Sequence, residues 1–329
     1  MHYPKPGPWT HKLLAYSIAS GQFSEVEIPR DLGTDLQGCR MAQIGPKIIL
    51  FKAGEEIQVW EISWLLKDTP VVKQLETLER DSYNFSIAVK DDNRHVFMTG
   101  GSGIAGKTAF ELDIQANKWK TLPRFTHGRC EHASIYGGDN LYVFGGRDNK
   151  SALVGSIEML TFPKVGNNCA KQWVMLMEDE RLVKRENPAI CAVGDRKIVV
   201  FGGYGKVGLL NDGFLFEEES KQVTAIMGNQ QDDGLQTYTQ TIRAGPIRYC
   251  VLGKGKDKQK VGVVEFIYNT GSPALSEARL RTQYDANHAP RKLQGTVGVA
   301  GVKIGQGVES AASQACDAAE PAASEADGQ

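Results

Sequence analysis

Leu141-Tyr142-Val143-Phe144-Gly145-Gly146 is an uninterrupted apolar run closed by a glycine pair, and its counterparts elsewhere in the chain decide the fold. Ile198-Val199-Val200-Phe201 runs into Gly202-Gly203, and Val96-Phe97-Met98-Thr99 runs into Gly100-Gly101. Ile48-Ile49-Leu50-Phe51 runs into Lys52-Ala53-Gly54, and a more divergent copy is Tyr249-Cys250-Val251-Leu252-Gly253. From Ala53 through Gly100, Gly145, Gly202 and Gly253, the copies stand 47, 45, 57 and 51 residues apart. Recurrence at such a period marks a chain assembled from one repeated supersecondary unit.

Each run is preceded by a shorter apolar segment and a turn. The turns are Gly45-Pro46-Lys47, Lys90-Asp91-Asp92-Asn93, Gly137-Gly138-Asp139-Asn140 and Gly194-Asp195-Arg196-Lys197. Gly, Asn and Asp accept the positive φ of a tight hairpin, so these read as strand reversals. After each glycine pair comes a variable loop and then an alternating strand, as in Phe110-Glu111-Leu112-Asp113-Ile114. A further turn leads to Trp119, and in the next unit to Trp173, each on an expected fourth strand. The unit is therefore four antiparallel strands. Its second strand, apolar at every position, is expected to be covered on both faces, as when twisted sheets stack around an axis.

Arg129-x-x-His132-Ala133-Ser134 followed by Leu141 to Gly146 resembles the kelch motif, as does Arg185 with Pro188-Ala189 leading to Val200-Phe201-Gly202-Gly203. The resemblance spans roughly 38–227 in good register and 237–278 more loosely; Lys52-Ala53-Gly54 departs from the glycine pair, and several units lack the fourth-strand Trp. It implies an all-β, six-bladed kelch-type β-propeller over 1–306, with whole blades at about 38–78, 80–123, 129–176, 185–227 and 237–278. Residues 12–28 read as only the third and fourth strands of a unit. Leu293–Val299 and Val302–Gly305 supply the missing first and second, in that order, giving a composite blade from 12–28 plus 293–305. Pairing the chain ends removes sheet edges that invite aggregation. Residues 307–329, rich in Ala, Ser and acids and free of Lys and Arg, are expected to be a disordered tail.

Composition narrows the function. Lys plus Arg number 38 against 39 Asp plus Glu, a net charge of −1 that argues against a general nucleic-acid binder. The six cysteines are scattered, with no C-x-x-C pair, and are expected to be reduced thiols. The N-terminal segment has no apolar signal-like stretch, and no run approaches the ~20 apolar residues of a membrane-spanning helix. A cytoplasmic protein without membrane association is expected. The sequon Asn84-Phe85-Ser86 carries little weight without an export signal.

Three segments invite a chemical reading. Gly101-Ser102-Gly103-Ile104-Ala105-Gly106-Lys107-Thr108 matches the P-loop pattern, but a P-loop needs a helix beginning at its Lys-Thr. Thr108 to Ile114 alternates as a strand instead, so the octapeptide is read as a loop between second and third strands. His127, Cys130 and His132 offer metal-ligand types close together, yet His132 occupies an ordinary first-strand position and no fourth ligand stands nearby. Gly253 to Lys260 carries four lysines and reads as a solvated hairpin tip. No cofactor and no metal is expected.

Kelch-type propellers generally bind protein partners, and the resemblance implies a non-catalytic scaffold or adaptor, by analogy a cytoskeletal or ciliary one. The candidate anchors are Lys107, Arg147, Asp148, Lys150, Tyr204 and Lys206 in the loops after the glycine pairs, with Arg124, Phe125 and Arg129 between units. Gly100, Gly101, Gly145, Gly146, Gly202, Gly203, Trp119 and Trp173 take structural roles. The same resemblance carries two alternatives, a sugar isomerase or metal-dependent oxidase and a peptide- or glycan-binding module. No cluster of His, Tyr and carboxylate in repeat register supports the enzyme.

Overall fold

The computed structural model describes residues 12–17, 20, 22–27, 32, 39–63, 70–102, 106–162, 171–193, 196–210, 212–226, 235–243, 248–255, 260–268, 275–285, 297–299 and 302–304. The expected tail at 307–329 and the segment 103–105 lie outside these residues. Among them the chain is all-β, with no α-helix and no helix long and apolar enough to cross a membrane.

Among the described residues six four-stranded antiparallel sheets account for nearly all of the strands. The N-terminal strands β1 (Lys12–Ser17) and β2 (Gln22–Glu27) belong to a sheet completed at the other end of the chain. Next comes a meander of β3 (Arg40–Ile44), β4 (Lys47–Lys52), β5 (Gln58–Ser63) and β6 (Val71–Gln74). It is followed by β7 (Ser86–Val89), β8 (His95–Thr99), β9 (Ala109–Asp113) and β10 (Lys118–Leu122). The next sheet holds β11 (Ala133–Gly137), β12 (Asn140–Phe144), β13 (Ile157–Thr161) and β14 (Gln172–Met177). β15 (Ala189–Ala192), β16 (Lys197–Phe201), β19 (Gly213–Glu217) and β20 (Gln222–Ile226) form another, with a small hairpin of β17 (Tyr204–Gly205) and β18 (Gly208–Leu209) in its loop. The longest strands, β21 (Leu235–Arg243), β22 (Arg248–Gly255), β23 (Lys260–Tyr268) and β24 (Leu275–Asp285), make one more meander. Finally, β25 (Val297–Val299) and β26 (Val302–Ile304) join β1 and β2.

The apolar second strands earn their composition by feeding two cores at once. Successive side chains of a strand point to opposite faces. Val96 and Met98 of β8 pack with Ile49 and Phe51 of β4, while Phe97 between them packs with Leu141 of β12 and Leu160 of β13. Tyr142 and Phe144 of β12 then turn the other way, onto Val200 and Phe214 of the following sheet. Every one of these side chains is at most 1% exposed.

First strands touch in chain order: β3 against β7, β7 against β11, β11 against β15 and β15 against β21. A belt of backbone bonds runs across their entrances. The Asn187 N–H donates to the Glu131 carbonyl at 2.6 Å, and the Glu131 N–H donates to the Asn84 carbonyl at 2.9 Å. All three belt residues have positive φ (56° at Asn84, 54° at Glu131, 48° at Asn187). Asn tolerates that region well and Glu poorly, so the belt imposes its conformation on Glu131.

Two details differ from the sequence-based expectation. The composite sheet has the order β2-β1-β25-β26, with Ala15 opposite Val299. The strand next to β1 is thus 297–299, and 302–304 stands at the edge, the reverse of the expected order. In the long meander, Gly253 does not end a strand; it lies inside the ladder opposite Gly262, and pairing continues through Lys254.

Candidate functional site

The loops that follow the second strands and the linkers that enter each sheet meet along one edge, and hydrogen bonds tie them together. The Ser102 N–H donates to Tyr83 O at 2.7 Å, Arg147 N–H to Cys130 O at 2.9 Å, and Tyr204 N–H to Glu186 O at 2.8 Å. These three bonds are equivalents in successive sheets. Each joins the residue after a glycine pair to the linker entering its own sheet. The glycine pairs connect that edge to the next sheet, because Gly101 N–H donates to Arg129 O at 3.0 Å and Gly146 N–H to Arg185 O at 2.8 Å.

Only glycine fits these junctions. Gly100, Gly101, Gly145, Gly146, Gly202 and Gly203 all have positive φ, and a Cβ at Gly145 would stand 2.5 Å from the Arg185 carbonyl oxygen. The fourth-strand tryptophans make a second stitch between sheets. Trp119 Nε1 donates to Glu76 O and Trp173 Nε1 to Pro123 O, each at 2.8 Å, in both cases to the chain just leaving the preceding sheet.

The candidate anchors divide into two groups. Lys107, Arg124, Lys150 and Lys206 are exposed on this rim, and Tyr204 is 39% exposed. Val207, at the turn of the β17–β18 hairpin, is 93% exposed, a feature the sequence reading passed over. Asp148 organises its loop by accepting the N–H groups of Lys150 and Ala152, each at 2.8 Å. Arg147 is engaged at all three guanidinium nitrogens: its Nη2 donates to Glu186 at 2.7 Å, its Nη1 donates to Ser151 O, and its Nε lies against Glu186 with Glu131 3.7 Å away.

Phe125 and Arg129 are corrections, since both were expected among the surface anchors and both are 1% exposed. Phe125 packs edge-on against Trp173. Arg129 is satisfied internally: Nε donates to His127 O, Nη1 to the carbonyls of Gly145 and Ser156, and Nη2 to Ser156 Oγ and Glu158. Arg185 repeats the arrangement with Leu182 O, Gly202 O and Asp212. Burial lowers the pKa of both guanidiniums, opposed by the facing carboxylates Glu158 and Asp212. Each arginine is a bracket, holding its own sheet's glycine pair with its side chain and the previous sheet's with its carbonyl.

The P-loop-like octapeptide leads into no α-helix: Gly106 and Lys107 form a short 3₁₀ turn and a strand follows. Gly106 O accepts Arg129 N–H, Thr108 O accepts Gly100 N–H, and β9 begins at Ala109. His132 is buried with its Nε2 2.8 Å from Thr99 Oγ1, and burial, then Arg129 and Arg40, hold its pKa well below the usual value. Its Nδ1 has no partner. Among the described residues no group of three His, Cys, Asp or Glu gathers to hold a metal ion. Lys254 of β22 stands opposite Val261 of β23 and Lys260 of β23 opposite Asp285 of β24, and 256–259 lie outside the described residues. Comparison with protein-family models and with curated proteins gave no match to this chain.

Proposed function

We propose that the six sheets are the blades of a kelch-type propeller closed by the chain termini, and that the rim described above docks a protein partner. The chain then serves as a scaffold or adaptor. One observation carries this reading: the rim joins rigid, hydrogen-bonded loops to exposed side chains of the kinds that anchor interfaces. Tyr204, Lys206 and Val207 stand on a paired hairpin, and Lys107, Arg124 and Lys150 project from neighbouring loops. Rigid sheets carrying variable loops suit recognition, and a few such anchors dominate binding.

Arg147 is a poor residue for testing the idea, because reversing it breaks its pairing with Glu186. The informative variant is Lys107→Glu/Lys150→Glu/Lys206→Glu, compared with Lys118→Glu on β10. Affinity purification with crosslinking mass spectrometry is expected to recover a stoichiometric partner crosslinked to rim loops. The triple variant should weaken it at least tenfold, on the order of a hot-spot loss, and Lys118→Glu should not. Crosslinks confined to the opposite turns, or turnover of sugars by the purified chain, contradict the reading.

A further inference from the structure

The fourth strand of each sheet ends its ladder, so among the described residues no strand lies beside its outer N–H and C=O groups. Such an edge is a template for another chain, and charged side chains are the usual guard against it. Lys73 stands on β6, Lys118 and Lys120 on β10, Glu25 and Glu27 on β2, and Glu277 and Arg279 on β24. β20 has no charge of its own, but it starts directly after Lys221, and its Thr224 and Ala225 are small. β14 has no guard. It reads Gln172-Trp173-Val174-Met175-Leu176-Met177, with Val174 36% exposed and Met175, Leu176 and Met177 only half-buried.

The residues that flank this strand are charged, with opposite signs. Lys171 precedes it and reaches Glu111 at 3.4 Å; Glu178 follows it, with its side chain 71% exposed. An antiparallel pairing of two copies about a two-fold axis through Val174 brings these charges together. At its centre the axis sets Val174 against Val174 of the second copy, and Trp173 against Met175, which points to the same face. A thioether beside an indole is a favourable pair. Beyond Met175 the register slips: Met175 is opposite Glu158 and Met177 opposite Ile157, leaving Leu176 as an extra residue. The bulge therefore brings Gln172 opposite Met177 of the second copy, and Lys171 opposite Glu178. Without it Lys171 would face Met177, and the charges would fall out of step.

We propose that β14 pairs with β14 of a second copy of this chain, forming a two-fold dimer through the open edge. Apolar side chains meet at the centre and opposite charges meet at both ends. The same pairing of β10 about Trp119 would set Lys118 against Lys120, like charge on like. An isologous contact of this kind uses up both open edges and closes on itself. The inference needs neither the rim nor closure of the sheets into a ring.

Sedimentation of the full chain, from low micromolar to submillimolar concentration, is expected to show a reversible monomer–dimer equilibrium. Val174→Lys sets two ammonium groups opposite each other and should weaken dimerisation about tenfold or more. Val71→Lys, at an exposed valine of β6, should leave it unchanged. Glu178→Lys should weaken it, and Lys171→Glu/Glu178→Lys should restore it, which a merely local disturbance would not do. Val174→Cys should oxidise to a disulfide-linked dimer, because the axis places this residue opposite itself. A monomer at every concentration, growth past the dimer, or wild-type association in Val174→Lys overturns the proposal. So does a monomeric chain from which Val174→Lys strips a different protein, since the edge then takes a foreign strand.

Discussion

Arg129 and Glu158 meet at 2.6 Å with both side chains fully withdrawn from solvent. The remaining capacity of the carboxylate is filled by backbone: Thr126 N–H at 2.6 Å and His127 N–H at 3.0 Å. This pair fastens a linker, a glycine pair and a third strand at a single point. Removing either partner strands the other charge in the interior. Glu158→Gln is expected to cost ~3–5 kcal/mol in urea denaturation. The double variant Arg129→Met/Glu158→Leu should lose less than the two single losses combined. A Glu158→Gln loss within ~0.5 kcal/mol, the scale of an ordinary surface change, contradicts the assignment.

Gly145 and Gly208 separate the two costs of replacing a left-handed glycine. Both have positive φ, at 61° and 115°. A Cβ at Gly145 collides with the carbonyl oxygens of Arg185 and Val183, at 2.5 and 2.7 Å, whereas nothing lies within 4 Å at Gly208. Gly208→Ala should cost ~1–2 kcal/mol, from conformation alone. Gly145→Ala should cost clearly more, as a shifted thermal midpoint, because backbone atoms must move. Equal losses would mean that the junction is not as tight as described.

His132 makes stability depend on pH. Its folded pKa is depressed, so below the unfolded value of about 6.5 the unfolded chain binds the proton that the folded chain refuses. Its contribution is complete above that pH and is lost as pH falls below it. The equivalent position in the preceding sheet is Phe85, also buried. His132→Phe is therefore expected to flatten the decline in thermal midpoint between pH 7 and pH 5. A variant that declines as steeply as wild type removes His132 from the account.

Trp173 gives a graded test of the stitch between sheets. Trp173→Phe keeps much of the packing on Phe125 but loses the bond to Pro123 O, and should cost ~1 kcal/mol. Trp173→Ala also opens a cavity and should cost ~3–5 kcal/mol. Chemical denaturation measures both. In the next sheet Val223, opposite Phe216, holds the place that Trp173 holds opposite Leu160, so the stitch is not made there by an indole.

What was legible in the sequence follows from how local its cause was. The runs at β4, β8, β12 and β16 are apolar at every position because alternate side chains enter different cores, and that pattern needs no knowledge of neighbours. The glycine pairs were legible for a similar reason, since positive φ is a property of single residues. Phe125 and Arg129 were misplaced because a lone arginine next to a loop reads as surface; its acid, Glu158, is 29 residues away. A signal existed all the same: Arg129 and Arg185 stand at the same offset before β11 and β15, and a charge repeated in register answers to structure. The order of β25 and β26 was beyond reach, as Val297-Gly298-Val299 and Val302-Lys303-Ile304 have equal claims to lie beside β1.

The proposed closure of the ring is tested most directly at Ala15 and Val299, which stand opposite each other where β1 pairs with β25. Opposed residues of an antiparallel pair have Cα atoms ~4.5–5.5 Å apart, a span a disulfide bridges without distortion. The account predicts that Ala15→Cys/Val299→Cys oxidises to an intramolecular crosslink under native conditions and raises the denaturation midpoint reversibly with reductant. A double variant that stays reduced, or links only between chains, would contradict it.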